Sequence, residues 1–440
     1  MRPAALLSES ARKAYIKHHQ RSLNLEFIRS SPPLFFYLPG RLHMRIIIID
    51  HALTKKLGHF YGMHKGLRQL FSHMGIPTLS LINLKATPDI VEEFGAIPAF
   101  KLRPFFGVGK EVSHTYYMKE LVAYAEEFAY SLHQYLSPLV QPGDLFLFPY
   151  CHPHELLAVS LWQKKLPAIK QHRFIFNMMQ IRYLFTSEKK LWQEMKSTYQ
   201  VASRELSNAV KTGNAHVLIH HEEELLRLQQ EMEIPVHFVP LPMNLLPLIN
   251  TEHSRNPEYD FGFFGLALER KGFHFLNHII KNSCLLNDPP SFFIQNTTKQ
   301  SIFTKGEQSE IIKRTKIHEF FGNMEEEEYV SFFQKCRFIL IPYNQSLYEF
   351  KSSGVFIESL ACGKPMLVTG KTWMSQMLNV HKGSGIIIKD WTPSAYVQGV
   401  ALAMKYQEKL IKHAQSQKDF WLNQHGLSTY VQTIIKLFTQ

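Results

Sequence analysis

Three short stretches of the chain combine residue types able to hold an anion or move a proton. In Gly265-Leu266-Ala267-Leu268-Glu269-Arg270-Lys271-Gly272, a glycine at each end permits a sharp turn and two cations stand side by side. Such a loop, running into a helix whose first N–H groups lack partners, suits a diphosphate. In the second stretch, Pro342-Tyr343 is followed by Glu349, Lys351, Ser352, Ser353, Gly354 and Glu358, and then by Ala361-Cys362-Gly363-Lys364-Pro365. Ser352, Ser353 and Gly354 read as a turn feeding a helix, again with N–H groups open to an anion. Glu358 falls one turn further in, where a carboxylate can accept two hydroxyl hydrogen bonds, as from a ribose diol. The third group is Leu57-Gly58-His59-Phe60-Tyr61-Gly62 together with Cys151-His152-Pro153-His154-Glu155. It supplies imidazoles, and His59, His152 and His154 are candidates for a catalytic role. Bland readings stand beside these: ordinary βα loops with solvated cations, a glutamate stabilising a helix dipole, and three among 23 histidines.

The elements that position these stretches alternate strand with helix. Arg45–Asp50 is a short β-branched run, as a parallel strand buried on both faces requires. Tyr61–Met74 follows as a helix stopped by Gly75, and Thr78–Ile82 as a strand. A helix over Tyr117–Leu136, strands at Asp144–Phe148, Arg173–Asn177, His216–Ile219 and Val236–Val239, and a helix at Pro153–Trp162 complete a first series. Asn244–Tyr259, with its prolines and asparagines, reads as a linker. The alternation then resumes. Strands are expected at Phe261–Phe264, Ser291–Gln295, Phe338–Ile341, Pro365–Thr369 and Gly385–Lys389. Helices are expected at Phe273–Lys281, Glu325–Lys335 and Val355–Ala361, with long helices at Pro393–Gln417 and Phe420–Leu437. Two series of βα units imply two doubly wound α/β domains, with ligands at the carboxyl ends of the strands.

The 440 residues carry a net charge of +12, which favours anionic partners or simply gives a basic surface. The four cysteines are far apart and form no C-x-x-C pair, against a disulfide framework or zinc ribbon and for a reducing compartment. No apolar run approaches the ~20 residues that a membrane helix needs. Residues 1–43 are basic and lack the apolar core of a secretory signal, so they read as a dispensable or regulatory arm or a start-site artefact. No D-x-D, H-E-x-x-H or zinc-type spacing occurs, so no metal ligands are assigned. Gly370-Lys371-Thr372 lacks the earlier glycine of a phosphate-binding P-loop, because Pro365 stands there.

Glu358-Ser359-Leu360-Ala361-Cys362-Gly363-Lys364-Pro365, followed by Met366-Leu367-Val368-Thr369, resembles the signature of the retaining family 4 glycosyltransferases. That signature is an acid, seven residues, a second acid, then A-x-A-x-G-x-P and a strand. Gly265–Gly272 resembles their G-R-x-x-x-x-K-G loop, and Val236–Pro242 their L-P-x-P exit from the first domain. The resemblance runs from about Arg45 to the C-terminus and is strongest over Asp260–Thr372. It implies the GT-B fold, two Rossmann-like domains facing a central cleft. Residues 44–245 would form the acceptor domain, 246–440 the nucleotide-sugar domain with the C-terminal helices, and 1–43 an extension.

The implied reaction moves a sugar from a nucleotide-diphosphate sugar to a hydroxyl of a carbohydrate or lipid-linked acceptor, as in cell-surface polysaccharide or glycolipid synthesis. It would retain configuration and use neither metal nor cofactor. By the same resemblance Glu358 binds the ribose and Lys271 the diphosphate, and the glycine loop at Gly58 faces the cleft. Two positions depart from the family. Its first acid falls at Phe350, with Glu349 one place early, and its loop arginine falls at Leu266, leaving Arg270 or Lys351 to supply the charge. Donor binding is thus assigned to Gly265, Glu349, Lys351, Ser353, Gly354 and Glu358, and catalysis to Arg270, Lys271, His59 and His154. The expected setting is cytoplasmic, with peripheral docking on an anionic membrane through cations such as Lys55, Lys56, Lys65, Arg68, Lys101, Arg103 and Lys110, and without nucleic acid as a partner. Two other readings remain: a degenerate GT-B scaffold that binds an anionic partner, and a sugar-nucleotide epimerase.

Overall fold

The computed structural model describes residues 44–56, 58–101, 114–166, 172–178, 189–211, 213–220, 222–249, 257–349, 351–380 and 383–439. The expectations for residues 1–43, Leu57, Arg103, Lys110 and Phe350 lie outside the described residues.

Burial on both faces selects the strands. Ile46, Ile47, Ile48 and Ile49 are fully buried, and their β-branched side chains pack above and below the sheet. The first sheet holds β1 (Ile46–Asp50), β2 (Thr78–Asn83), β3 (Ile97–Phe100), β4 (Leu145–Phe148), β5 (Arg173–Met178), β6 (Ala215–Ile219) and β7 (Val236–Phe238). Its order is β3-β2-β1-β4-β5-β6-β7. The second holds β8 (Tyr259–Phe263), β9 (Phe292–Asn296), β10 (Ile317–Phe321), β11 (Cys336–Ile341), β12 (Met366–Thr369) and β13 (Gly385–Ile388), in the order β10-β9-β8-β11-β12-β13. Every pairing in both sheets is parallel. Helices cover both faces: Phe293, Ile339 and Val368 enter one core of the second sheet, while Phe292, Leu340 and Leu367 enter the other. These are two α/β domains of the doubly wound kind. Strand order reverses between β1 and β4 and again between β8 and β11, and such switch points leave a crevice at the carboxyl ends.

Several elements differ from expectation for identifiable reasons. β3 contains Pro98 and β10 is only half-buried, so neither reads as a central strand, and both are edge strands where these features are tolerated. The expected helix Pro393–Gln417 breaks at Tyr406 (φ −110°, ψ 20°), giving helices Pro393–Lys405 and Gln407–His425. The second of these ends at Gly426 (φ −68°, ψ 145°), and a final helix, Leu427–Thr439, begins there. That helix returns to the first domain. Leu427 lies against Gly66, and Arg173 stacks over Phe438 at 5.6 Å. Asn244–Tyr259 is not wholly irregular: Leu246–Ile249 is helical and Tyr259 already belongs to β8. The four cysteines are buried and unbridged. Among the described residues, no helix is long and apolar enough to cross a membrane.

Candidate functional site

At the second switch point, the loop after β8 folds back over the end of its own strand. Gly265 has φ +96°, and a side chain there would meet Lys271 Nζ at 2.8 Å, so the glycine makes room for the ammonium. Gly272 has φ +70° and packs so closely on Pro342, at the end of β11, that any Cβ would clash with the backbone. Asn344 N–H donates to the Arg270 carbonyl at 2.9 Å, which ties the two switch-point loops together. β9 braces the loop from its other side. Gly265 N–H donates to Gln295 Oε1 (2.6 Å) and Ala267 N–H to Thr297 Oγ1 (2.8 Å). Lys271 is thereby held 5.4 Å from the centre of the Tyr343 ring. Burial lowers its pKa, with Tyr348 and Glu358 opposing the shift and Arg270 adding to it. A partly desolvated cation of this kind gains from an anion placed beside it. Arg270 is exposed, and its positive charge works against the rise that burial gives the Tyr348 pKa. Leu266, at the family's arginine position, is exposed and apolar.

The helix Gly354–Ala361 opens on the same crevice. Ser353 is its N-cap, and its hydroxyl accepts from Phe356 N–H at 3.3 Å. Ile357 N–H reaches the Ser353 carbonyl at 3.2 Å, leaving the N–H groups of Gly354 and Val355 without a protein acceptor among the described residues. Glu358, one turn on, is half-buried. Its Oε2 accepts from the Tyr329 hydroxyl at 2.5 Å. Burial raises its pKa, against the opposing effects of Tyr329 and Lys271. Lys351 stacks at 5.5 Å over the Tyr348 ring, which itself lies 4.5 Å from Tyr343. The structure thus gathers Gly265, Lys271, Ser353, Gly354 and Glu358 around one crevice, with Lys351 at its edge. Glu349 is exposed at the C-terminus of the short helix Gln345–Tyr348, with no hydrogen bond or ion pair among the described residues.

The first domain contributes the helix Gly58–His73 after β1. Gly58 begins it at φ +68° and His59 follows, its ring against Phe60 at 4.2 Å and edge-on to Tyr150 at 6.0 Å. His59 is open to solvent yet crowded by neighbouring atoms, as befits a cleft wall, and that desolvation lowers its pKa. Lys271 and Lys351 of the second domain lower it further, while Asp50 opposes them. His59 is thus within electrostatic reach of both lysines. Lys65, two turns along the same helix, bonds both carboxylate oxygens of Glu326 at 3.3 Å, and Glu326 begins the helix Glu326–Lys335 that carries Tyr329.

His154 belongs to a different cluster. Its Nε2 lies 3.0 Å from Glu155 Oε1, and His51 Nδ1 lies 3.1 Å from the same oxygen. Glu155 Oε2 accepts from His152 N–H at 2.7 Å in a capping arrangement. Glu155 is fully buried, and although burial alone would raise its pKa, the surrounding imidazoles bring it down to about 2. Burial brings His152 down to about 3. Nearby, His64 joins Asp50 (3.1 Å) and Ser80 (3.0 Å) in the bonding order of a nucleophilic triad. All three are fully buried, so no substrate reaches them, and their bonds tie the helix Gly58–His73 to β1 and β2. Among the described residues, no group of histidines, cysteines or carboxylates is placed to hold a metal ion.

Sequence reasoning missed Gln295, Thr297 and Tyr329, whose partners are some 30 residues away in the chain and which belong to no motif. Several basic residues considered for membrane docking are neutralised locally: Lys56 by Glu93 (2.8 Å), Lys65 by Glu326 and Lys101 by Glu127 (3.0 Å).

No protein-family model matches the chain, and no curated protein matches it in sequence. Solved structures do match in shape. Sucrose-phosphate synthase from Thermosynechococcus elongatus has 13% identity and a TM-score of 0.56, over 90% of this chain and 98% of that one. The Anabaena protein HepE in complex with UDP has 12% identity and a TM-score of 0.58, over 90% and 100%. An α-glucosyltransferase in complex with UDP and a 13-mer DNA containing an HMU base has 12% identity and a TM-score of 0.52, over 90% and 99%. Two further structures of such an enzyme also contain DNA. The expectation that nucleic acid is no partner is therefore corrected, because proteins of this shape hold DNA. At these identities the likeness is one of fold, and the fold is GT-B: two Rossmann-like domains, each with its own parallel sheet flanked by helices.

Proposed function

We propose that this protein is a glycosyltransferase that takes a sugar from a nucleotide-diphosphate donor bound at the β8/β11 switch point. The observation that carries the reading is Lys271, folded over the positive-φ Gly265 and partly desolvated where a strand-end crevice receives ligands. As the anomeric bond breaks, the leaving diphosphate gains negative charge. Lys271, Arg270 and Lys351 offer cations to that charge, and the unpaired N–H groups of Gly354 and Val355 offer hydrogen bonds. Glu358 would take the ribose hydroxyls. His59 stands on the first-domain wall, where it can polarise a donor or acceptor hydroxyl. In this reading residues 44–245 bind the acceptor and 246–440 the donor, the anomeric configuration is retained, and no divalent metal is required.

The acceptor is a hydroxyl group. Its class is to be found among carbohydrates, lipid-linked sugars and, given the DNA held by proteins of this shape and the charge of +12, hydroxyl-bearing DNA. The test is release of nucleoside diphosphate from UDP-, GDP- and ADP-sugars with each acceptor class in turn. Release that depends on one donor and one acceptor supports the reading. If no nucleotide sugar raises the melting temperature and none is turned over, the reading fails.

A further inference from the structure

We propose that Tyr329 is a positioning residue for Glu358: its hydroxyl fixes one carboxylate oxygen so that the other is presented to a ribose hydroxyl of the nucleotide. The inference rests on the donor-site reading above and adds to it a residue that no motif marks.

The two residues come from different helices, 29 positions apart, and meet at 2.5 Å, a short charge-assisted hydrogen bond. The phenol has a single proton to donate, and it goes to Oε2. Oε1 is left to accept from elsewhere. The Tyr329 ring is itself held, edge-on to Phe264 at 5.4 Å and stacked near Phe333 at 5.6 Å. Phe264 directly follows β8, so the ring is anchored to the floor of the switch point. A glutamate has three side-chain torsions, and one fixed oxygen removes most of that freedom before a ligand arrives, which favours binding.

Charge supports the same arrangement. Glu358 faces Lys271 from the loop after β8, Tyr329 from the helix Glu326–Lys335, Tyr343 from the end of β11 and Cys362 from its own helix. Burial works against its ionised form, and the Tyr329 bond and Lys271 work for it. Removal of the hydroxyl therefore raises the Glu358 pKa further, and the carboxylate is lost at a higher pH than in the wild type.

The experiment titrates the full chain calorimetrically with UDP, GDP and ADP, and then with the 2′- and 3′-deoxy forms of whichever nucleotide binds. Wild type, Tyr329→Phe, Glu358→Gln and the double variant are compared over pH. Glu358→Gln is expected to weaken binding about 10–150-fold. Tyr329→Phe should weaken it about 3–10-fold, reduce the preference for ribo- over deoxynucleotide, and move the acidic limb of binding to higher pH. The double variant should bind no more weakly than Glu358→Gln alone, because Tyr329 acts through the carboxylate. If Glu358→Gln weakens binding while Tyr329→Phe matches wild type in affinity, ribose preference and pH midpoint, the positioning role is overturned and the donor site stands. A double variant weakened by the product of the two single effects also overturns it. If Glu358→Gln changes nothing, or no nucleotide binds, the ribose assignment itself is wrong and the inference falls with it.

Discussion

The two switch points of this molecule share a topology and differ in what they do with it. After β8 and β11, positive-φ glycines draw backbone and Lys271 close together, and the helix Gly354–Ala361 leaves two N–H groups without protein acceptors among the described residues. After β1 and β4, carboxylates and imidazoles are paired with one another in the interior. Glu155 lies between His51 and His154, and Asp50 is bonded to His64 and through it to Ser80. Both regions contain the residue types from which active sites are made. What separates them is charge pairing and burial. A cation short of partners at an open edge attracts a ligand, whereas a carboxylate enclosed by imidazoles stabilises the fold around it.

The sharpest way to break that contrast is to treat both regions alike. Asp50→Ala removes the buried carboxylate that His64 bonds. Leaving a buried partner uncompensated costs about 3–5 kcal/mol, a fall in apparent melting temperature on the order of 10 °C. A melting temperature near wild type, read by circular dichroism, would show that this group is not structural. Lys271→Ala should do the reverse. The melting curve stays close to wild type, while transfer falls about 10²–10³-fold, as when a group that stabilises developing charge is lost. If Lys271→Ala unfolds the protein, or leaves kcat/KM within a few-fold of wild type, the two regions are not divided as described.

How far this division could be read from the chain alone depended on the distance over which its causes act. The central strands were legible because Ile46–Ile49 and Phe338–Ile341 are uninterrupted apolar runs, which a doubly buried strand demands. β3 and β10 were not, because edge strands admit a proline or a half-polar pattern. Ser353, Gly354 and Glu358 were visible as a local cap-and-helix pattern, and Gly265 and Lys271 as a glycine loop. Tyr329, Gln295 and Thr297 act across long sequence separations, and nothing local distinguishes them from other tyrosines or polar strand ends. His154 was visible as a residue type, but its partner Glu155 and the burial of their cluster are properties of packing. Glu349, the substitute for the family's first acid, is exposed, and no described partner fixes its carboxylate.

A smaller effect sharpens the comparison through pH. His152 titrates at about 3 in the folded protein against an ordinary 6.5, and Glu155 at about 2 against 4.5. In both windows the unfolded chain binds more protons, so stability falls as pH decreases, first below 6.5 through the imidazole and then below 4.5 through the carboxylate. The apparent melting temperature should drop by roughly a few degrees between pH 7 and pH 5.5, within the imidazole window. His152→Gln should flatten that slope. An unchanged slope in the variant would move the pH sensitivity to other histidines and leave the first switch point without its proposed electrostatic character.

The smallest expected effect is none at all, and it bears most directly on the second region. In the proposed reading, Lys271, Arg270 and Lys351 place positive charge where a leaving diphosphate would develop its own, and Gly354 and Val355 add two N–H donors that have no protein acceptor among the described residues. A divalent cation does the same work in enzymes that hold the diphosphate through a D-x-D pair, and the chain contains no such pair. Fixed cations and a bound metal are alternative supplies of one electrostatic term, so a site furnished with the first has little to gain from the second. Transfer rates in excess EDTA should therefore equal those in Mg²⁺ or Mn²⁺, and the same invariance should hold for nucleotide affinity. The comparison is most informative in Lys271→Ala. If the lysine is the main source of positive charge, added Mg²⁺ should recover part of the lost rate in the variant while doing nothing for the wild type. Loss of wild-type turnover in chelator, restored by either metal, would mean that the ammonium over Gly265 serves to place the donor and that the charge on the leaving group is met by an ion.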